Sequence, residues 1–160
     1  MNYRITGTGS CIPDITKKNS DFLQNKFLDR DGIDIQSSNS EIIEKFKSIT
    51  GIYQRRYASD EINSSDLATV AAKGAIVNSK IDQEKLDYII VAHNAGDISY
   101  NSGQVDTLPS IASKVKAKLK IKNPNCVAYD IICGCPGWLE GIIQAKSFIK
   151  SGMASKCLII

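Results

Sequence analysis

The sequence predicts an α/β domain, a mostly parallel sheet with helices covering both faces. Three observations carry this. Leu86–His93, "LDYIIVAH", is a nearly continuous β-branched run, the kind found in strands buried on both sides. Strand-like runs alternate with helical ones along the chain. Pro136–Gly152 reads as a helix that is apolar round much of its circumference, through Trp138, Leu139, Ile142, Phe148 and Ile149. Such a helix is expected to be buried on several sides.

Each element has its own signal. Tyr3–Ile12, "YRITGTGSCI", alternates and then ends in Gly, Ser and Pro13, as a first strand running into a loop does. Gly7-Thr8-Gly9 does not continue into a dinucleotide loop, because Ile12 stands where the third glycine belongs. Thr16–Asn39 is polar and predicted irregular, with a short helix near Asp21–Phe27. Glu41–Ile49 is predicted as an amphipathic helix capped by Ser40, with Glu44 near its start, and broken by Thr50-Gly51. Ser64-Ser65-Asp66 opens a helix whose small face, Leu67, Val70, Ala71, Gly74, Ala75 and Val77, allows close approach.

Leu108–Lys122 carries two patterns. Lysines at 114, 116, 118, 120 and 122 alternate as in a strand, whereas Pro109 and the Ile111, Val115, Leu119 spacing favour a helix. The helix is expected, with its lysines on a solvated face. Cys126–Cys133 is the third strand, and Cys157–Ile160 begins a fourth. The chain is expected to be one domain over residues 1–160, stopping inside that fourth strand.

Composition narrows the function. With 160 residues, 42% hydrophobic and 23% charged, the chain can bury a core as a single globular domain. A net charge of +3 and 7% aromatics do not make a nucleic-acid footprint. No apolar run approaches the roughly 18 residues of a membrane span. Met1-Asn2-Tyr3-Arg4 lacks a signal-peptide core, so a cytoplasmic protein is expected. The five cysteines, Cys11, Cys126, Cys133, Cys135 and Cys157, are odd in number, and one histidine with no C-x-x-C pair does not suit zinc. Neither a disulfide framework nor a metal is expected.

Cys135 stands apart from the other four. With Cys135 as N-cap and Pro136 as the first helical residue, the sulfur would lie beside the unpaired amides of the helix start. The helix dipole there favours a thiolate. Gly134 and Gly137 would leave room for a substrate carbonyl, and the Cys135 N–H could donate to an oxyanion. Acyl transfer through a thioester fits that arrangement, although buried free cysteines are also common packing residues. Cys133 points to the opposite side and reads as packing.

Four segments resemble 3-oxoacyl-[acyl-carrier-protein] synthase III, of the thiolase-like superfamily. They are "ITGTGSCIP" (Ile5–Pro13), "TGIYQRR" (Thr50–Arg56), "LDYIIVA" (Leu86–Ala92) and "YDIICGCPGW" (Tyr129–Trp138), the last similar to the family's D-x-x-x-x-C-x-G-[FW] segment. The resemblance implies the N-terminal half of a thiolase-like fold, α/β/α layers around a mostly parallel mixed sheet. It also implies that Cys135 accepts the acyl group and that Leu108 gates an acyl pocket. The second, pseudo-symmetric half, absent here, would supply the histidine and asparagine that condense the acyl group with a malonyl-carrier extender. His93 does not match that histidine and reads as a loop or packing imidazole. The tryptophan that often stacks on coenzyme A in relatives corresponds to about Lys45, and a nearby arginine to Ile49. Acyl carrier protein is therefore the expected partner, with acyl-coenzyme A as alternative donor, no separate cofactor, and a homodimer. The adjacent Arg55 and Arg56 are expected to serve the scaffold. A hydroxymethylglutaryl-coenzyme A synthase-like or long-chain Claisen-condensing relative, or a non-catalytic ketosynthase partner, is the rival reading.

Overall fold

The computed structural model describes residues 3–160, which divide into two compact units. One joins the stretch ending at Ile12 to Asp60–Ile160; the other is Pro13–Ser59.

The smaller unit holds β1 (Ile15–Lys18), α1 (Asn39–Thr50) and β2 (Gln54–Tyr57), with β1 and β2 antiparallel and Ile15 opposite Tyr57. The helix expected near Asp21–Phe27 is instead a 3-10 turn at Asn19–Phe22. Helix α1 begins earlier than predicted. Ser38 is its cap, and Ser38 and Glu41 form a reciprocal capping box that satisfies two orphan amides. It ends at Gly51, whose φ of 67° suits glycine. Arg55 donates to Asn19 Oδ1 at 2.8 Å, and Arg56 donates to the carbonyls of Pro13 and Asp14. Both arginines tie β2 to its own unit.

The larger unit contains α2 (Ser64–Ser79), β3 (Tyr88–His93), β4 (Asp97–Ile98), β5 (Val105–Asp106), α3 (Ile111–Lys118), β6 (Val127–Ile132), α4 (Gly137–Ser151) and β7 (Cys157–Ile159). Its sheet has the order β6-β3-β7, all parallel, with Tyr88 opposite both Val127 and Cys157. Parallel strands need helical crossovers, and these build three layers. On one face, Ile89 and Val91 pack with Ala72 of α2 and with Ile111, Ala112 and Val115 of α3. On the other lies α4, which buries Gly137, Gly141 and Ala145, a stripe spaced by four. A Cβ on Gly141 would sit 2.8 Å from Ile159 Cγ2, so the bare position is what lets helix and sheet touch.

Several expectations need correction. Tyr3–Ile12 is not a strand. It runs along the small face of α2, where a Cβ on Gly7 would come within 2.6 Å of Ala75 O. A strand is defined by its hydrogen-bonded neighbour, and this segment has none among the described residues although it alternates. A cavity of about 540 Å³ separates it from β7, bounded above and below by α2 and α4. Helix α2 buries Ser65, Thr69 and Ala72, while Val70 and Val77 are exposed. Helix α3 stops at Lys118 because Lys120 takes a φ of 59°. Its lysines are not a solvated stripe: Lys114 reaches Asp97 and Asp106, Lys116 the Cys126 carbonyl, and Lys118 Ser65 and Asp66. Helix α4 is not enclosed either, since Trp138, Leu139 and Ile143 are about half exposed. Among the described residues no helix is long and apolar enough to cross a membrane.

Candidate functional site: the turn between β6 and α4

Strand β6 ends at Ile132, and Cys133 N–H donates to His93 O at 3.1 Å, extending the β3–β6 ladder by one bond. Gly137 N–H then donates to Gly134 O at 2.9 Å, closing a turn whose two central residues are Cys135 and Pro136. Helix α4 follows at once, with Pro136 as its N-cap at φ −81° and Glu140 N–H bonded to Pro136 O. The predicted cap is therefore displaced by one residue, because the turn consumes Cys135 before the helix begins. Cys135 stands exposed on the corner, and its backbone N–H has no acceptor among the described residues. Gly134 has nothing within 4 Å of where a Cβ would be, so the approach on that side is open. Gly137 plays a different part. It is buried, and a Cβ there would lie 3.1 Å from that of Ala92 and 3.3 Å from that of Cys133, so its bareness seats α4 on the sheet.

Beneath the turn lies a buried polar pair that sequence reasoning missed. His93 Nε2 is 2.9 Å from Asp130 Oδ2, and both side chains are only 11% exposed. Asp130 also accepts from the amides of Ile111 (2.7 Å) and Ala112 (2.8 Å), the first two of α3. Ser110 Oγ takes the next free amide, that of Ser113. The signal was present in part: Asp130 opens the D-x-x-x-x-C segment, but its partner across the ladder shows only in the register that sets His93 opposite Ile132.

Leu108 is 82% exposed, directly after the β4–β5 hairpin. The polar stretch Gly96–Thr107 is strapped down at Asp97 and Asp106. Asp97, 6% exposed, accepts from Ser65 N–H at 2.8 Å and from Lys114 Nζ at 3.1 Å, while Asp106 takes the same ammonium at 2.6 Å. Burial works against the Asp97 carboxylate, yet the bonds from Ser65 and Lys114 outweigh it and hold its pKa below the ordinary value. The other cysteines are less available. Burial pushes the Cys157 thiol up to about 11 and raises that of Cys126 as well. No group of three or more His, Cys, Asp or Glu side chains that could hold a metal occurs among the described residues. The walls of the 540 Å³ cavity include Trp138 but not Cys135. Its lining comes from Tyr3–Gly9, α2, α4 and the β7 region, so Cys135 does not open into it.

No family model matches the chain. Curated relatives do. The chain is 34% identical over 160 residues to beta-ketoacyl-[acyl-carrier-protein] synthase III 1 of Vibrio parahaemolyticus, covering all of this chain and 43% of that protein. It is 34% identical over 161 residues to the synthase III of Neisseria gonorrhoeae, with the same coverage. Among solved structures, 3-oxoacyl-[acyl-carrier-protein] synthase III from Aquifex aeolicus matches with TM-score 0.76 and 32% identity, over 99% of this chain and 44% of that one. OleA of Xanthomonas campestris, at 23% identity and TM-score 0.78, shares the fold. The chain spans about 43% of the length of the curated relatives it matches. Over its full length, this chain is a relative of the beta-ketoacyl-[acyl-carrier-protein] synthase III family and carries the N-terminal half of its thiolase-like fold.

Proposed function

We propose that this chain is the cysteine-bearing part of a condensing acyltransferase, with Cys135 as the residue that takes the acyl group. The observation that carries the reading is the exposed Cys135 on the corner of the β6–α4 turn, inside a chain that matches the synthase III relatives from end to end. The Cys135 sulfur, as thiolate, attacks the carbonyl carbon of an acyl thioester, forming a new C–S bond. The carbonyl oxygen takes the negative charge, and the Cys135 N–H, which has no acceptor among the described residues, would donate to it. Collapse breaks the bond to the donor's sulfur. The donor leaves as a thiolate and recovers the proton that Cys135 gave up, so one thioester is exchanged for another. Relatives named for an acyl carrier protein support that protein as donor or extender partner, with acyl-coenzyme A as the alternative.

Condensation needs more than this chain. A malonyl-type extender must lose carbon dioxide, and its enolate carbon must attack the Cys135 thioester and release the thiolate. Histidine and asparagine from a second half would perform that step. The exposed apolar side chains of α4, Trp138, Leu139 and Ile143, support a covering half or a second copy. Leu108, exposed at the end of its hairpin, suits the acyl-pocket gate.

The test is intact mass after incubation with a panel of acyl-carrier and acyl-coenzyme A thioesters. The chain is expected to gain one acyl group, and Cys135→Ala to gain none. An acyl group that persists in the variant would transfer the role to another cysteine. No gain on the wild-type chain, repeated with a full-length relative of the same sequence class acylated in parallel, would refute self-sufficient acylation.

A further inference from the structure

His93 is more than a packing imidazole. Its backbone carbonyl takes the amide of Cys133, and its ring bonds the carboxylate that caps α3. Asp130 already receives two backbone N–H groups, so it is the acceptor in the pair, and the His93 proton sits on Nε2. Nδ1 is buried and has no hydrogen-bond partner among the described residues. The ring thus faces Asp130 through Nε2, as the donor of the pair.

The position matters because two functional segments meet at this residue. The Cys133–Pro136 turn hangs from the His93 main chain. The Leu108–Ser110 segment leads into the α3 start, which hangs from Asp130 and so from the His93 side chain. We propose that His93 is a positioning residue that couples the Leu108 segment to the cysteine turn, so that the two shift together when an acyl chain is accommodated. This rests on the acyl-transfer reading for its purpose, but its geometry can be tested alone.

The experiment is site-resolved amide hydrogen exchange on the chain and two variants. His93→Phe keeps the ring shape and removes the donor, whereas His93→Gln keeps an N–H. In His93→Phe, exchange at Ile111 and Ala112 is expected to rise about tenfold, the loss of one hydrogen bond to a carboxylate. The decisive site is Cys133. Its acceptor is a main-chain oxygen that every variant retains, so faster exchange there reports transmission rather than a deleted partner. His93→Gln should restore all three amides towards wild type. Acceleration at Ile111 and Ala112 with Cys133 unchanged would overturn the coupling, leaving His93 as a brace for α3 alone. Uniform acceleration through β3 and α4, or no change anywhere, would also overturn it. With an accepted acyl donor in hand, the chain-length profile of acylation should shift in His93→Phe and recover in His93→Gln. If the wild-type chain accepts no donor, the acyl-transfer reading fails while the exchange data still decide the coupling.

Discussion

Helices α3 and α4 start in the same part of the fold, each beside the C-terminal end of a strand of the parallel sheet, yet their N-termini are built in opposite ways. At α3 the first free amides are all taken, two by Asp130 and one by Ser110, and the carboxylate is locked from beneath by His93. At α4 the preceding turn leaves Cys135 exposed, with no acceptor for its N–H among the described residues and open space beside Gly134. Helix ends carry unpaired amides that something must satisfy. One end meets that demand internally and becomes scaffold. The other leaves it to whatever approaches, which is what a site for a developing oxyanion requires.

The largest effect should come from dismantling the closed end. Asp130→Leu removes one acceptor from three donors and leaves them buried, so the chain should lose about 3 kcal/mol or more in denaturant unfolding. A loss under about 1 kcal/mol would mean that water or a neighbouring group replaces the carboxylate. The strap that holds α3 from its side should give a smaller, pH-dependent effect. The folded pKa of Asp97 is depressed, so its contribution is fully present above the unfolded value near 3.8 and is lost as pH falls through the lower folded value. Asp97→Asn should therefore be less stable than wild type near neutral pH, with the difference shrinking at more acid pH than 3.8. A difference that stayed constant across that window would assign the cost to packing rather than charge.

What the sequence reveals of this contrast depends on how local the signal is. The β-branched run ending at His93 and the apolar run of α4 are read from consecutive residues, and both elements form where expected. The turn that carries Cys135 is legible for the same reason, since proline and glycine beside it mark a turn into a helix. The failures are non-local. Tyr3–Ile12 alternates like a strand, but among the described residues no edge pairs with it. The lysines of α3 look solvated until the fold brings Asp97, Asp106 and Asp66 to them. His93 looks idle until the β3–β6 register sets it beside Asp130, 37 positions further along. Even the α1 cap turned on a choice between two nearby serines, and the one with a glutamate three residues on, Ser38, prevailed.

The measurement that tests the account most directly is competitive alkylation of the five cysteines at pH 8, mapped by peptide mass. Cys135 should label first. Cys157 should lag far behind, because a thiol with a pKa of about 11 is ionised to roughly one part in a thousand at that pH. Buried Cys126 should lag with it. Labelling of Cys11 or Cys133 ahead of Cys135 would contradict the claim that the open end of α4 presents the chain's reactive sulfur.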